Sequence, residues 1–414
     1  MTFLRLGRVD KGQLPKNVEA FLALYHISMS SALKAKLKFR DEGTGKWRPF
    51  QEIEGSAIQA LQQFLKDAGF MPKANVDGIF GYATVAAVRL FQEYIRTVEG
   101  DMGIGTPDGI VGPNTFRYIE KWKTEKTGTD QFVCDWGKAN VDNPSEAYKH
   151  WFSLLEKGKT HYQANPNEIL QHLEAFPNKT DTKKIKDWNT NNNRIHLIGI
   201  RRNQEQSYVN RRGNDDLFVL LIKGMAFYFY GSTDPNPGIT ARKDIPFLIE
   251  GQHEYGFGWH KVNSYNKIYQ ALRPAKHGVL VFRDSNGNQA LDAADLVKGL
   301  DASPNQTINI HWSGIGTTNF SAGCQVIAGL SYINHKGALI NCKAHAATSY
   351  SELGKKTRGA YNVLADLILS YAPLGVRTLI YTLAQDGIAF LSDKVTEEMG
   401  AEMLQRLKAG DDKK

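Results

Sequence analysis

The chain has 414 residues, 42% of them hydrophobic and 23% charged, with 51 Lys and Arg against 43 Asp and Glu for a formal charge of +8. That length suits two or three domains with ordinary cores, and the composition excludes a disordered or fibrous chain. No run of 18 apolar residues occurs, and the N-terminal segment has no apolar region ending in a small-residue cleavage site, so neither membrane insertion nor Sec export is expected.

The positive charge favours an anionic partner: nucleic acid, a membrane surface or an acidic wall polymer. The basic residues are scattered rather than blocked and no nucleic-acid motif accompanies them, so no nucleic acid is expected as a partner. The three cysteines, Cys134, Cys324 and Cys342, give no disulfide framework, and an odd count leaves at least one free thiol in a monomer.

Residues 1–50 are mixed and basic, with Asn17–Phe39 apolar enough for one helix and Arg40–Pro49 reading as a loop; no function attaches to them. Two amphipathic helices follow. Ile58, Leu61, Phe64 and Leu65 fall at helical spacing in the first, and Val85, Val88, Leu90, Phe91 and Tyr94 in the second.

An internal echo accompanies them. Asp77–Thr84 reads DGIFGYAT and Asp108–Thr115 reads DGIVGPNT, the same Asp-Gly-Ile-x-Gly-x-x-Thr pattern 31 residues apart. Turn chemistry explains it: Asp-Gly turns the chain, the second glycine permits a positive φ, and Thr caps the next helix. The arrangement resembles the three-helix peptidoglycan-binding domain appended to many wall enzymes, with the signature at Asp77, Gly78, Gly81 and Thr84. The resemblance implies wall binding, with these four residues serving the turn rather than touching glycan.

Residues 123–190 hold two further helices, each opened by Asn-Pro with Glu close behind, and a polar, lysine-rich linker at 177–193. Beyond it the period changes. Residues 194–202, 216–231, 277–284, 307–312 and 376–384 are rich in β-branched and aromatic residues between turn formers and read as strands, with helices near 359–371 and 396–408.

His311 stands at the end of one such strand, thirteen residues before Cys324, with a glycine-rich loop between. A cysteine becomes a nucleophile when an imidazole and backbone amides favour its thiolate and small neighbours admit substrate, and Ser-Ala-Gly-Cys is such a turn. The spacing allows hydrogen-bond reach, and a buried, inert cysteine fits it as well.

The order His311, glycine-rich loop, Ser321, Gly323, Cys324 resembles the signature of L,D-transpeptidases, the cysteine enzymes that join peptidoglycan stems, over residues 191–386. The chain departs from that pattern at Ala322, where His or Lys is usual, and at Gln325 and Val326, where a small apolar residue and then Arg or Asn are usual. The resemblance implies acyl transfer, with His311 as base, Cys324 as nucleophile, backbone amides near Gly323 and Cys324 holding the oxyanion, and a carbonyl at Trp312 or Ser313 orienting the imidazole. An amine acceptor gives a cross-link; water gives L,D-carboxypeptidase or cross-link cleavage. A protein that binds wall and has lost activity is the rival reading.

Three other constellations stand beside this one. Asp284, Asn286, Asn288, Asp292 and Asp295 occupy positions one, three, five, nine and twelve of a calcium-loop template, but Gln289 takes the glycine position and the flank reads as strand, so calcium is left open against an Asx-rich hairpin and no cofactor or metal is required. His253 and His260 lie seven apart, which is no zinc-protease spacing and suits aromatic pocket lining or plain strand. His335 and His345 follow Cys324 and are formal papain-like partners without a supporting signature.

The expected architecture is multidomain α+β: an N-terminal segment (1–50), a small three-helix peptidoglycan-binding-like domain (51–122), a helical connector (123–190), a mostly β L,D-transpeptidase-like domain (191–386) and a C-terminal helical tail (387–414). The resemblances imply peptidoglycan stem peptides and glycan as its partners, and action at the wall or in the periplasm, with release by lysis or by delivery or secretion machinery other than Sec as the expected route.

Overall fold

The computed structural model describes residues 3–13, 38–40, 46–202, 213–239, 243–260, 269–288, 292–316, 318–353, 355–373, 376–385 and 394–409. The helix expected at Asn17–Phe39 lies outside these, except that Lys38 and Phe39 open a strand, β2. Of the expected loop at Arg40–Pro49, the described ends are strands.

β1 (Arg8–Asp10) pairs in parallel with β4 (Gln51–Ile53), and β2 (Lys38–Arg40) antiparallel with β3 (Trp47–Pro49). β1 also starts the helical unit. The buried Asp10 carboxylate accepts the backbone N–H of Ile58 (3.0 Å) and Gln59 (2.8 Å), satisfying donors that the first turn of a helix leaves without partners. That helix, α1 (Ala57–Asp67), packs with α2 (Tyr82–Thr97) and α3 (Pro113–Lys126). Phe64, Phe70, Phe91, Tyr94 and Trp122 meet edge to face at centroid distances of 5.4–5.9 Å.

The two echo turns are built alike, and differently from the expectation. The first glycine of each carries the positive φ, Gly78 at 71° and Gly109 at 79°. Gly81 and Gly112 are extended and stand as the N-caps of α2 and α3, while Thr84 and Thr115 lie inside the first turn rather than capping it. A buried glutamine holds each turn. Gln62 donates to Asp77 Oδ1, the Ile79 carbonyl and Thr84 Oγ1 and accepts from the Gly78 N–H at 2.8–3.1 Å. Gln92 repeats the four bonds with Asp108, Ile110, Thr115 and Gly109 at 2.9–3.1 Å.

The second unit is a closed sheet. β6 (His196–Arg201), β7 (Asp216–Ile222), β8 (Met225–Ser232), β10 (Gly251–His260), β11 (Tyr269–Pro274), β13 (Ile310–Trp312), β14 (Gln325–Ile327) and β17 (Thr378–Gln385) run in the order β14-β13-β11-β10-β17-β6-β7-β8, and β8 pairs back to β14. Closure removes the exposed edges an open sheet would leave. β7 and β8 form a tight hairpin whose corner residues, Lys223 (φ 52°) and Gly224 (φ 78°), both take the left-handed conformation of a two-residue turn. β15 (Ser331–Ile333) extends β8 and carries β16 (Leu339–Asn341), while β9 (Pro246–Leu248) and β12 (Val281–Arg283) make a separate ribbon.

Residues 123–190 are built onto this sheet. After the short α4 (Asp135–Lys138), Trp151, Leu154 and Leu155 of α5 (Glu146–Ala164) and Leu170 and Leu173 of α6 (Glu168–Ala175) share one buried cluster with Leu217, Val219 and Tyr230 of the sheet. β5 (Thr182–Lys183) pairs with β10. Leu404 and Leu407 of α9 (Lys394–Ala409) bury in the same cluster. α7 (Ala293–Lys298) is capped at its N-terminus by Asp292, and α8 (Ala360–Tyr371) lies against α2.

A second apolar cluster runs from the three-helix unit into the sheet and α8 without interruption. Polar bonds cross the same seam. The Arg89 guanidinium grips Asp366 through Nε and Nη2 at 2.7 and 2.6 Å, and Tyr332 Oη donates to Glu93 at 2.7 Å. The fold is thus α+β, with the helical unit fastened to the sheet.

Candidate active site

The site forms where β13 and β14 run side by side. Their parallel register sets His311 opposite Val326, and Cys324, two residues earlier on the β14 side, therefore shares a face with His311 at one diagonal step. Tyr269 on β11 and His260 on β10 are direct partners in register on that face. Four chain segments thus bring two imidazoles, a phenol and a thiol together.

His311 is buried and its Nδ1 is held. It lies 2.9 Å from the Trp312 carbonyl and 3.2 Å from Tyr269 Oη, which itself donates to the same carbonyl at 3.3 Å. A carbonyl at Nδ1 assigns the proton there and leaves the lone pair on Nε2. The His260 ring stacks on His311 at 4.0 Å between centroids and 25° between planes. Asn309 Nδ2 donates to His260 Nδ1 at 3.0 Å, fixing the second ring.

Cys324 is half-buried, the only one of the three free cysteines that is not fully buried. The Asn309 N–H points at its sulfur at 3.4 Å and the thiol donates to the Thr307 carbonyl at 3.3 Å. One backbone donor thus faces the position where thiolate charge develops. Burial raises the thiol of Cys134 to about 11 and also raises that of Cys342, which makes both poor nucleophiles.

The turn before Cys324 is fastened to β8 and β9. A Cβ on Gly323 would come within 2.7 Å of Pro246, so the close approach of β9 requires glycine there. The Gly323 N–H, expected to face an oxyanion, donates to Ser321 Oγ at 3.3 Å. Ser321 in turn takes a bond from its N–H to Asn319 Oδ1 (2.7 Å) and receives the Asn236 N–H at its carbonyl (2.6 Å). Ser313 is tied by its N–H to the Ile327 carbonyl at 3.0 Å, which seals the β13 side. Gln325 is fully buried on the opposite face, bonded to Tyr381 Oη and the Thr233 carbonyl at 3.1 Å, so the departure from the usual pattern there serves the core.

The remaining candidates lie elsewhere. His335 accepts from Trp136 Nε1 at 3.0 Å and burial lowers it to about 4; His345, also lowered to about 4 by burial, sits by Arg96 and Glu93. His253 faces away from His260, with both ring nitrogens bonded, to Thr182 and the Ile249 carbonyl. In the 284–295 loop, Asp292 caps α7 and receives Asn286 and Asn288, while Asp295 receives Ser285, so the acidic groups bond to the loop itself. Among the described residues, no three His, Cys, Asp or Glu side chains are grouped to hold a metal. Gln289 lies outside them.

Sequence reasoning did not single out Tyr269, Asn309 or Thr307, and read His260 as aromatic pocket lining or plain strand after setting a zinc spacing aside.

Residues 54–119 match the family model of a putative peptidoglycan binding domain. The chain therefore carries a wall-binding domain, with peptidoglycan as its partner and the cell wall as its place of association. No curated protein sequence matches the chain. Among solved structures, a fused Zn-dependent amidase/peptidase/peptidoglycan-binding domain-containing protein from Clostridium acetobutylicum ATCC 824 is similar over 66% of this chain and 95% of its own, at 14% identity and a TM-score of 0.20. No described helix is long and apolar enough to cross a membrane.

Proposed function

We propose that the protein is a peptidoglycan-modifying cysteine acyltransferase of L,D-transpeptidase type, acting on stem peptides through a thioester at Cys324. The observation that carries the reading is a half-buried thiol, met by a backbone N–H, on the same sheet face as an imidazole whose other nitrogen is held by a carbonyl.

His311 Nε2 takes the thiol proton. The thiolate attacks the carbonyl carbon of the third stem residue, the C–N bond to the terminal D-alanine breaks, and the imidazolium returns the proton to the departing amine. The Gly323 amide, now lent to Ser321 Oγ over a long 3.3 Å bond, turns to the oxyanion as charge develops; one such donor lowers the barrier by about 3 kcal/mol. An acceptor amine or water then resolves the thioester.

The test is mass spectrometry of disaccharide tetrapeptide and of cross-linked dimers after incubation with wild type and Cys324→Ala. A Cys324-linked acyl adduct with new dimer, exchanged D-amino acid, tripeptide or cleaved dimer supports the reading and identifies the acceptor. Unchanged muropeptides and no adduct, across several wall types, leave a binding protein.

A further inference from the structure

Gly256, Gly258 and His260 alternate onto one face of β10, the face on which His260 stacks against His311. Two glycines thus leave the strand without side chains up to the paired imidazoles, and one side chain from the next strand crosses the gap. Arg273 on β11 stands opposite Gly256 in register, and its aliphatic stem lies over Gly258: a Cβ there would come within 2.6 Å of Arg273 Cδ and 3.1 Å of its Cγ. Glycine at 258 is what lets the stem lie flat.

The guanidinium is held at two points, each one residue from the site. Nη1 donates to the Trp259 carbonyl at 3.3 Å, on the peptide unit that leads into His260. Nη2 donates to the Gln306 carbonyl at 3.3 Å, and the next carbonyl along the chain, that of Thr307, receives the Cys324 thiol at 3.3 Å. The β11–β13 register, Leu272 beside Ile310, also sets Arg273 across from Asn309, whose N–H meets the same sulfur at 3.4 Å. Two hydrogen bonds and two consecutive carbonyls connect Cys324 Sγ to Arg273 Nη2, so sulfur and guanidinium stand no more than about 13 Å apart.

Both bonds of the guanidinium are long, go to neutral carbonyls and leave N–H donors of its fork unused. Among the described residues no carboxylate pairs with Arg273, which is half-buried, while Gln306 and Thr307 beside it are exposed. A cation with donors to spare at the open side of a nucleophile selects an anion, and the planar fork matches a carboxylate. The span suits a stem peptide. A donor whose reacting carbonyl carbon stands about 3 Å from the sulfur carries carboxylates about 4–7 Å further on, at the terminal D-alanine and at the side chain of a carboxyl-bearing third residue, and a hydrogen bond of about 3 Å closes the distance.

We propose that Arg273 is a specificity-determining residue that binds a carboxylate of the donor stem beside the bond Cys324 breaks. The proposal rests on the acyl-transfer reading above and deepens it. Through the terminal carboxylate, Arg273 favours stems with a free end over cross-linked ones; through the third residue, it favours walls whose side-chain carboxyl is free over amidated walls.

The test uses the full chain with Cys324→Ala, which keeps stems intact, and calorimetric titration with three disaccharide tetrapeptides: the free acid, the form amidated at the terminal carboxyl, and the form amidated at the third-residue side chain. The free acid should bind at least tenfold more tightly than at least one amidated form, and the form that loses affinity identifies the carboxylate. Adding Arg273→Gln should abolish that preference, while Arg273→Lys, which keeps the charge without the fork, should retain part of it. A residue that only held the fold would weaken all three stems alike and leave their ratio unchanged. Far-UV circular dichroism of both variants verifies folding. Equal affinity for the three stems, or a preference that survives Arg273→Gln, overturns the proposal. Failure of the acyl-transfer reading shows separately, as absence of a Cys324 adduct when the unmodified chain is incubated with the free acid.

Discussion

Gln62→Leu is the sharpest test of how the wall-binding domain is held. The substitution keeps volume and apolar packing at a fully buried position and deletes four hydrogen bonds. Their partners fare unequally. Asp77 keeps the Ile79 N–H and the Ile79 carbonyl keeps the Thr84 hydroxyl, so those losses cost about 0.5–1 kcal/mol each. The Gly78 N–H is buried and its bond is to Gln62 alone, so stranding it adds about 1–2 kcal/mol. The sum is about 3 kcal/mol. Gln92→Leu should cost the same, because it deletes the same four bonds from the same pattern. Urea unfolding followed by the buried Trp122, with amide exchange at Gly78 and Gly109 as local readouts, measures both. A loss below 1 kcal/mol in either variant, with exchange at the glycine unchanged, refutes the view that these glutamines close the turns.

Further outcomes follow from the site and the core. Native protein treated with iodoacetamide should take one label, on Cys324, and three after unfolding, since at pH 8 Cys134 with a thiol near 11 is thiolate in only about one molecule in a thousand; peptide mapping decides, and native labelling of Cys134 or Cys342 contradicts the burial. Tyr269→Phe removes the hydroxyl that touches both His311 Nδ1 and the Trp312 carbonyl, and should lower the rate of Cys324 acylation about 3- to 10-fold and move its pH profile, with stem binding by calorimetry unchanged. Arg89→Ala strands the buried Asp366 carboxylate and should destabilise by about 3 kcal/mol, which Asp366→Asn in the same chain partly restores in denaturation curves. Burial holds His196, His335 and His345 at about 4 and His253 at about 3, below the ordinary value in each case. Their contribution is present above pH 6.5 and is lost as pH falls toward 4, up to about 1.4 kcal/mol per histidine for each pH step; unfolding curves that stay flat from pH 7 to 4.5 would count against it.

How much of this was legible in the sequence depended on where the deciding contact lay. Helices α1 and α2 showed themselves because their apolar residues repeat within a single segment, and β6, β7, β8 and β17 because continuous β-branched and aromatic runs mark strands buried on both faces. β10 did not, since Gly256 and Gly258 break its alternation, and β14 is three residues long. The echo motif was visible, yet its explanation was not: Gln62 stands 15 residues before Asp77 and Gln92 stands 16 before Asp108, and nothing local ties them. The same holds at the site. Cys324 and His311 belong to one short motif, whereas His260 and Tyr269 reach it only through the β10–β11 register, which no local pattern announces.

That distribution bears on how the two units work together. A wall-binding domain on a loose tether raises the local concentration of substrate and leaves its orientation free. Here the seam is an apolar cluster shared by both units, with the Arg89 clamp on Asp366 and the Tyr332 bond to Glu93 inside it. Small relative motions would break charged contacts that exclude water, so the two units move as one body. In the function proposed above, wall polymer held by the helical unit meets the sheet at a fixed angle, and the direction is set by α2, whose one end carries Tyr82 against Trp259 and whose later turns carry Arg89 and Glu93. For the proposed acyl transfer at Cys324, orientation fixed before the reaction is the form of assistance that a nucleophile with few oxyanion donors gains most from, because it lowers the entropic part of the barrier without further charge at the site.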